Sequence, residues 1–271
     1  MNDNTRELDR REFLKIVAGL GISAAAGGWV WSTFLAYDDP LAEIEREWNG
    51  SENGPSWAMV IDLEKCIGCE RCAYACQATN DTSTGHLWNI VLHDEESFDK
   101  PVFMPRPCMH CEHAPCVEVC PVKATYHRPD GLVEMDYDRC IGCRYCMVAC
   151  PYGSRVFNWE DRDADDNPMV PTWGTPEIDR RPRGVVEKCT FCSHRLDAVQ
   201  DPESDIYGYR PGYDPAATPE CCVVCPTEAR RFGDLLDASS PAAVALKGRQ
   251  AIVLRSNLGT RPRVFYLLPT M

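Results

Sequence analysis

Apolar and polar positions divide this chain into a short opening segment and a longer body of small elements. The chain starts polar, and then no charge occurs from Ile16 to Tyr37. In the body, apolar and β-branched residues gather in short runs beside turn-forming residues. Such runs predict strands over Trp57–Asp62, Gly131–Asp136, Ala251–Arg255 and Val264–Leu268. Cysteine-bearing loops lie around them, each following a strand or leading into a short helix. Ser193–Glu220 is rich in Pro, Gly, Asp and Tyr. It is expected to be a surface loop where a partner makes contact. The whole pattern predicts an α+β fold of small strands, short helices and long loops.

The opening segment carries its own signal. Asp9-Arg10-Arg11-Glu12-Phe13-Leu14-Lys15 places paired arginines ahead of the uncharged stretch. This resembles the twin-arginine export pattern at each defined position, and that route carries proteins that have already folded. The uncharged run spans 22 residues, near the roughly 20 needed to cross a bilayer as a helix. Ala24-Ala25-Ala26 offers a small-x-small cleavage site that would leave Gly27 first. Residues 1–37 are therefore expected to be a signal or, the favoured reading, an uncleaved anchor, with 38–56 as a linker. The body is expected at the periplasmic or outer face of the cytoplasmic membrane.

Charge and composition narrow the class. A length of 271 residues suffices for one large domain or two small ones. The net charge of −13 argues against a nucleic-acid partner, because phosphate binding needs a basic face. Acidic residues cluster in Asp94–Asp99, Glu160–Asp166 and Asp201–Asp205. Solvated loops account for them, and docking of a basic partner such as a soluble cytochrome is the sharper reading.

The unusual figure is 17 cysteines. Sixteen fall into four quartets: Cys66, Cys69, Cys72 and Cys76; Cys108, Cys111, Cys116 and Cys120; Cys140, Cys143, Cys146 and Cys150; and Cys189, Cys192, Cys221 and Cys225. The third, followed by Pro151, matches the bacterial C-x2-C-x2-C-x3-C-P signature for [4Fe–4S] clusters. The first departs from it only at Gln77, which stands where the proline would be. Asp62-Leu-Glu-Lys-Cys-Ile-Gly-Cys parallels Asp136-Tyr-Asp-Arg-Cys-Ile-Gly-Cys, and Cys-Pro-x-x-Ala recurs at 120–124 and 225–229. The order is thus type A, B, A, B, a duplicated two-cluster unit.

The chemistry accounts for the spacing. A cubane needs one thiolate on each of four irons. Three close cysteines on a tight loop cap three of them, and Gly68 and Gly142 let that loop turn. In two-cluster ferredoxins the fourth cysteine of a run serves the neighbouring cluster. Zinc asks for one or two C-x-x-C pairs rather than this pattern. Disulfides need Cα separations that cysteines in such runs cannot all satisfy. Cys222 is left over and reads as a small buried apolar residue, with a reserve ligand as the alternative.

With these motifs, residues 57–270 resemble the four-cluster electron-transfer subunits of the dimethyl sulfoxide, polysulfide, thiosulfate and tetrathionate reductase group of molybdopterin oxidoreductases. The resemblance rests on Ala58-Met-Val-Ile-Asp-Leu, Cys140-Ile-Gly-Cys-Arg-Tyr-Cys-Met-Val-Ala-Cys-Pro-Tyr-Gly, Val186-Glu-Lys-Cys-Thr-Phe-Cys-Ser-His-Arg, Phe232-Gly-Asp and Gly259-Thr-Arg-Pro-Arg-Val-Phe-Tyr-Leu. It implies two ferredoxin-like modules. The outer one spans 57–100 and 180–271 (quartets 1 and 4), and the inner one 101–179 (quartets 2 and 3). It implies four [4Fe–4S] clusters held by Cys66, Cys69, Cys72 and Cys225; by Cys189, Cys192, Cys221 and Cys76; by Cys108, Cys111, Cys116 and Cys150; and by Cys140, Cys143, Cys146 and Cys120. It also implies a chain that is not an enzyme by itself. Such a subunit relays electrons between a molybdopterin catalytic subunit and a membrane quinone-reacting subunit or cytochrome. The alternative is a freestanding exported polyferredoxin that shuttles electrons between redox partners; the export signal and the long insertion argue against it.

Other residues add less. His110, His113, His127 and His194 lie near quartets but form no C-x-x-C-H haem motif, so they are expected to be non-ligands. Lys65, Arg139 and Lys188 each precede a quartet's first cysteine. A cation there could raise a cluster's potential, and surface solvation explains these residues equally well. Trp57, Trp88, Trp159 and Trp173 are expected to pack. No nucleotide fingerprint, P-loop or hydrolase triad is present.

Overall fold

The computed structural model describes residues 54–83, 85–94, 101–161 and 167–270. The expected signal or anchor, most of the linker and most of the first two acidic stretches lie outside the described residues. The described residues form one compact unit. Its elements are short helices and small strands, arranged as one four-stranded sheet and three two-stranded ladders.

The sheet grows from the run of apolar residues at Trp57–Asp62 (β1), all six of which are buried. β1 pairs in parallel with Val264–Leu267 (β10), with Met59 opposite Val264 and Asp62 opposite Leu267. On its other side it pairs antiparallel with Arg230–Asp234 (β8). Ala251–Ile252 (β9) closes the edge beside β10. The strand expected over 251–255 stops at Ile252. Arg255 then turns left-handed (φ 53°) into a 3-10 turn at Ser256–Leu258. Helix α6 (Pro241–Leu246) covers β8 and β1. Its start follows local rules: Pro241 sits in the first turn, and the Ser240 side chain accepts from Ala243 N–H at 3.2 Å.

The remaining strands make small ladders. Ile90–Asp94 (β2) pairs with Val102–Arg106 (β3), and Thr125–His127 (β4) with Val133–Met135 (β5). Arg155–Phe157 (β6) pairs with Val186–Lys188 (β7). The first and last of these join residues on either side of the expected module boundaries. One further tie runs the same way, from Asn158 to Glu187. Glu187, almost fully buried, accepts from Trp88 Nε1 at 2.9 Å and pairs with Arg181 at 3.0 Å. Asn158 donates to its other oxygen.

The apolar core and the cysteines share one space. Met59, Ile61, Leu132, Leu196, Phe191, Phe232 and Tyr266 pack in a cluster that also contains Cys72, Cys76, Cys108, Cys111, Cys116, Cys146, Cys189 and Cys221. Ser193–Glu220, expected as a surface loop, is partly built into this core. It opens with helix α4 (Ser193–Ala198), whose Leu196 is fully buried. Arg195 anchors the segment by donating to Thr218 O at 2.6 Å and by pairing with Glu220 at 2.7 Å. Its exposed part runs near Tyr207, Tyr209 and Tyr213.

Candidate functional site

Each quartet folds by the same local rule. The third cysteine is the second residue of a short helix: Cys72 in α1 (Arg71–Thr79), Cys116 in α2 (Pro115–Glu118), Cys146 in α3 (Tyr145–Ala149) and Cys221 in α5 (Glu220–Val223). All four are buried. The residue before a proline is pushed away from helical geometry, so α2, α3 and α5 end by the fourth cysteine. Gln77 lifts that restriction, and α1 runs on to Thr79, three residues beyond Cys76. Gly68 and Gly142, at φ 68° and 67°, make the turns between the first two cysteines of the A-type quartets. A Cβ on Gly142 would stand 2.1 Å from the Gly184 carbonyl oxygen.

The fold brings together thiols that the sequence separates. Cys66, Cys69, Cys72 and Cys225 line one cavity, with Gly68, Pro226 and Arg230 in its wall. Cys120, Cys140, Cys143 and Cys146 line another, with Gly142, Thr125 and Met135. Asn80 Nδ2 lies 3.5 Å from Cys76 Sγ and 4.0 Å from Cys192 Sγ. Burial, and then the neighbouring Cys189, Cys192 and Cys221, push the Cys76 thiol well up. Cys111 is pushed up to about 12 by burial and by the nearby Cys108, Cys116 and Cys150. Both cavities thus join three cysteines of one quartet to the last cysteine of another, and Cys76 and Cys150 likewise neighbour thiols of a different quartet. The groups also adjoin one another: Cys72 beside Cys221, Cys189 beside Cys108, and Cys146 beside Cys116. The chain of groups has exposed ends, at Cys69 and Cys143, and a buried middle.

All seventeen cysteines are free of disulfide bonds. Among the described residues, no three His, Cys, Asp or Glu side chains are placed to hold a single metal ion. The thiols surround space instead of meeting at a point. Soft thiolates, four to a cavity, are the donor set of a [4Fe–4S] cubane. Unpartnered donors strengthen the fit. Nε and Nη1 of Arg230 and Nη2 of Arg155 are buried without a hydrogen-bond partner. Buried N–H groups of this kind suit an anionic sulfide-bearing group.

The polar surroundings divide into anticipated and missed residues. Of the three cations before a first cysteine, Lys65 and Arg139 are exposed, while Lys188 is fully buried and donates to Cys189 O at 2.9 Å. His110 uses both ring nitrogens on backbone: Val133 N–H donates to Nδ1 at 3.2 Å, and Nε2 donates to Cys189 O at 2.9 Å. Burial, and then Lys188 nearby, hold it well below the usual imidazole range. Cys222 lies half-buried in α5, and its hydrogen bond to Cys221 holds the Cys221 thiol below its usual range. Trp57 and Trp88 are buried, but Trp159 is 54% exposed, with the Arg144 guanidinium 4.7 Å above its ring. Trp159 therefore does not pack inside: it lies beyond the short β6, which leaves its indole at the surface. Sequence reasoning missed Asn80, Asn89, Arg155 and Arg230. None has a motif of its own. The only signal for the two arginines is their fixed distance after a fourth cysteine.

Comparison with known proteins points to the same cluster chemistry. Two family models, both described as 4Fe-4S dicluster domains, match residues 65–124 and 100–169. The chain is 44% identical over 228 residues to a protein of Halobacterium salinarum assigned as the iron-sulfur subunit of a dimethyl sulfoxide reductase, covering 78% of this chain and 79% of that one. It is 36% identical to the second subunit of the selenate reductase of Mesobacillus selenatarsenatis, over 83% of this chain and 76% of that one. Against the corresponding subunit of the tetrathionate reductase of Salmonella typhimurium the identity is 36%, over 95% and 87% of the two chains.

Proposed function

This chain belongs to the iron–sulfur beta subunits of the dimethyl sulfoxide, selenate, arsenate and tetrathionate reductase group, and we propose that it holds four [4Fe–4S] clusters as a relay between a molybdopterin catalytic subunit and a membrane quinone-reacting subunit or cytochrome. When bound, each cluster accepts and releases one electron at a potential set by its surroundings. The protein's part is to hold the clusters in line, keep water from the inner ones and fix the charges around them.

The observation that carries this reading is the exchange of fourth cysteines. Cys225 joins Cys66, Cys69 and Cys72 around one cavity, although more than a hundred residues separate it from them. The same pattern gives Cys76 to Cys189, Cys192 and Cys221, Cys150 to Cys108, Cys111 and Cys116, and Cys120 to Cys140, Cys143 and Cys146. Ordered by adjacent thiols, these sets form a line from the Cys69 end to the Cys143 end. Such a line suits relay between two partners better than storage. Two ferredoxin-like modules related by duplication account for the repeated cysteine-bearing helices.

The opening segment completes the proposal. Arg10-Arg11 ahead of the uncharged run supports twin-arginine export to the periplasmic or outer membrane face, with residues 16–37 as an anchor. Among the described residues, no helix is long and apolar enough to cross a membrane. The test is purification of the native complex from membranes. We expect iron for four clusters per chain and co-purification of a large molybdenum-containing subunit. A soluble monomer, or iron for only two clusters, would sink the reading.

A further inference from the structure

We propose that Arg155 and Arg230 are a matched pair of fixed positive charges, one between the two thiol sets of each module, that raise the potentials of both clusters beside them. The inference rests on the cluster assignment above.

Their positions are equivalent in one respect and opposite in another. Each lies five residues after the fourth cysteine of a quartet and opens a strand, Arg155 after Cys150 in β6 and Arg230 after Cys225 in β8. The same position after Cys120 is Thr125, and after Cys76 it is Asp81. Each module therefore has one such arginine. The inner module takes it from an A-type quartet and the outer module from a B-type quartet. Both nevertheless reach the same place. Arg155 stands beside Cys116 and Cys146, and Arg230 beside Cys221 and Cys72. These are the third cysteines of the B-type and A-type quartets in each module.

Their surroundings are those of a cation waiting for an anion. Arg155 is 4% exposed and Arg230 2%. Arg155 Nη1 donates to Thr125 Oγ1 at 3.2 Å and Met135 Sδ at 3.1 Å, and Arg230 Nη2 donates to Asn89 Oδ1 at 3.1 Å. Those partners are neutral, and the remaining buried nitrogens noted above have none. Arg181, buried as deeply, is matched by Glu187. A guanidinium does not lose its proton in a protein, and an unpaired buried charge is strongly destabilising. On the cluster assignment, the compensating charge beside these two comes from the thiolates that ligate the irons. Reduction of a cluster adds negative charge without changing the arginine, so a fixed cation held between two thiol sets favours the reduced form of both.

The test is a redox titration followed by electron paramagnetic resonance, with iron content measured alongside, on the full chain in its purified complex. Wild-type iron below four clusters would defeat the underlying assignment, whatever the variants do. With that satisfied, Arg155→Gln is expected to lower the reduced-to-oxidised ratio of both inner clusters about tenfold at fixed potential, about 59 mV for a one-electron centre. The outer clusters should stay unchanged. Arg230→Gln should do the reverse, and Arg→Lys at either position should restore most of the shift. Full iron with unchanged potentials, or a shift shared equally by both modules, would overturn the proposal. Should a Gln variant lose its iron, Arg→Met, which leaves no polar group buried, asks the same question. Loss in both neutral variants with retention in the Lys variant would support the need for charge, and loss in the Lys variant as well would overturn it.

Discussion

The proposed outer and inner modules hold eight quartet cysteines each, on unequal scaffolds. The outer segments, 57–100 and 180–271, build a four-stranded sheet whose central strands β1 and β10 are wholly buried. The inner segment, 101–179, has one ladder of its own, β4 with β5. Its other strands pair with outer ones, β3 with β2 and β6 with β7. The outer segments thus have a hydrogen-bonded sheet of their own, although its apolar side chains share one core with the thiols. The inner module depends on its neighbours and on whatever its thiols bind.

The largest expected effect comes from removing iron, which tests that inequality directly. Amide exchange should then become fast in β4, β5 and β6, while β1, β8 and β10 keep much of their protection. Equal loss in both regions would break the comparison.

A smaller effect separates the equivalent glycines. Alanine in the left-handed region costs about 1–2 kcal/mol, and both Gly68 and Gly142 lie there. The new Cβ at 68 would meet the Phe103 ring at 2.5 Å, and a side chain can swing aside. At 142 it would meet backbone. Thermal unfolding of the iron-loaded protein should therefore show G142A more destabilised than G68A. The reverse order would refute the idea that the inner loop is the more tightly constrained.

The smallest effect concerns the seam between the modules. The Glu177 side chain is 36% exposed, and burial of the rest works to raise its carboxyl, but hydrogen bonds from Arg195 and His194 prevail and lower it from 4.5 to about 2. Its backbone N–H also donates to Thr79 O at 2.8 Å. A carboxyl lowered on folding stabilises the fold above its unfolded value and loses that contribution as pH falls through its folded value. Wild-type stability should therefore decline from about pH 4.5 towards pH 2. Glu177→Gln should be less stable at neutral pH and show a flatter acid limb. An unchanged limb would show that this contact does not help to fix α4.

Much of the site was legible in the sequence because cluster chemistry constrains spacing. The quartets, the turns at Gly68 and Gly142 and the proline stops follow from local geometry. The longer α1 was not read from the sequence, although Gln77 in place of a proline permits it. The strands over Trp57–Asp62 and Val264–Leu268 were legible because their apolar runs are unbroken. The strand at 251–255 was less so, because a left-handed turn at Arg255 leaves no mark in an apolar pattern. Trp159 misled for a related reason: an indole carries no sign of whether it faces inward or outward.

Sequence by itself determined how many thiols there are, how they group and which family the chain belongs to, since each is a matter of residue type at short separation. Tertiary structure decided which thiols share a cavity, which lie at an exposed end, and that Lys188, Arg155 and Arg230 are buried cations while Lys65 and Arg139 are not. Those properties depend on contacts across long stretches of chain. Desolvation and Coulomb interaction act through space, and sequence distance does not measure them.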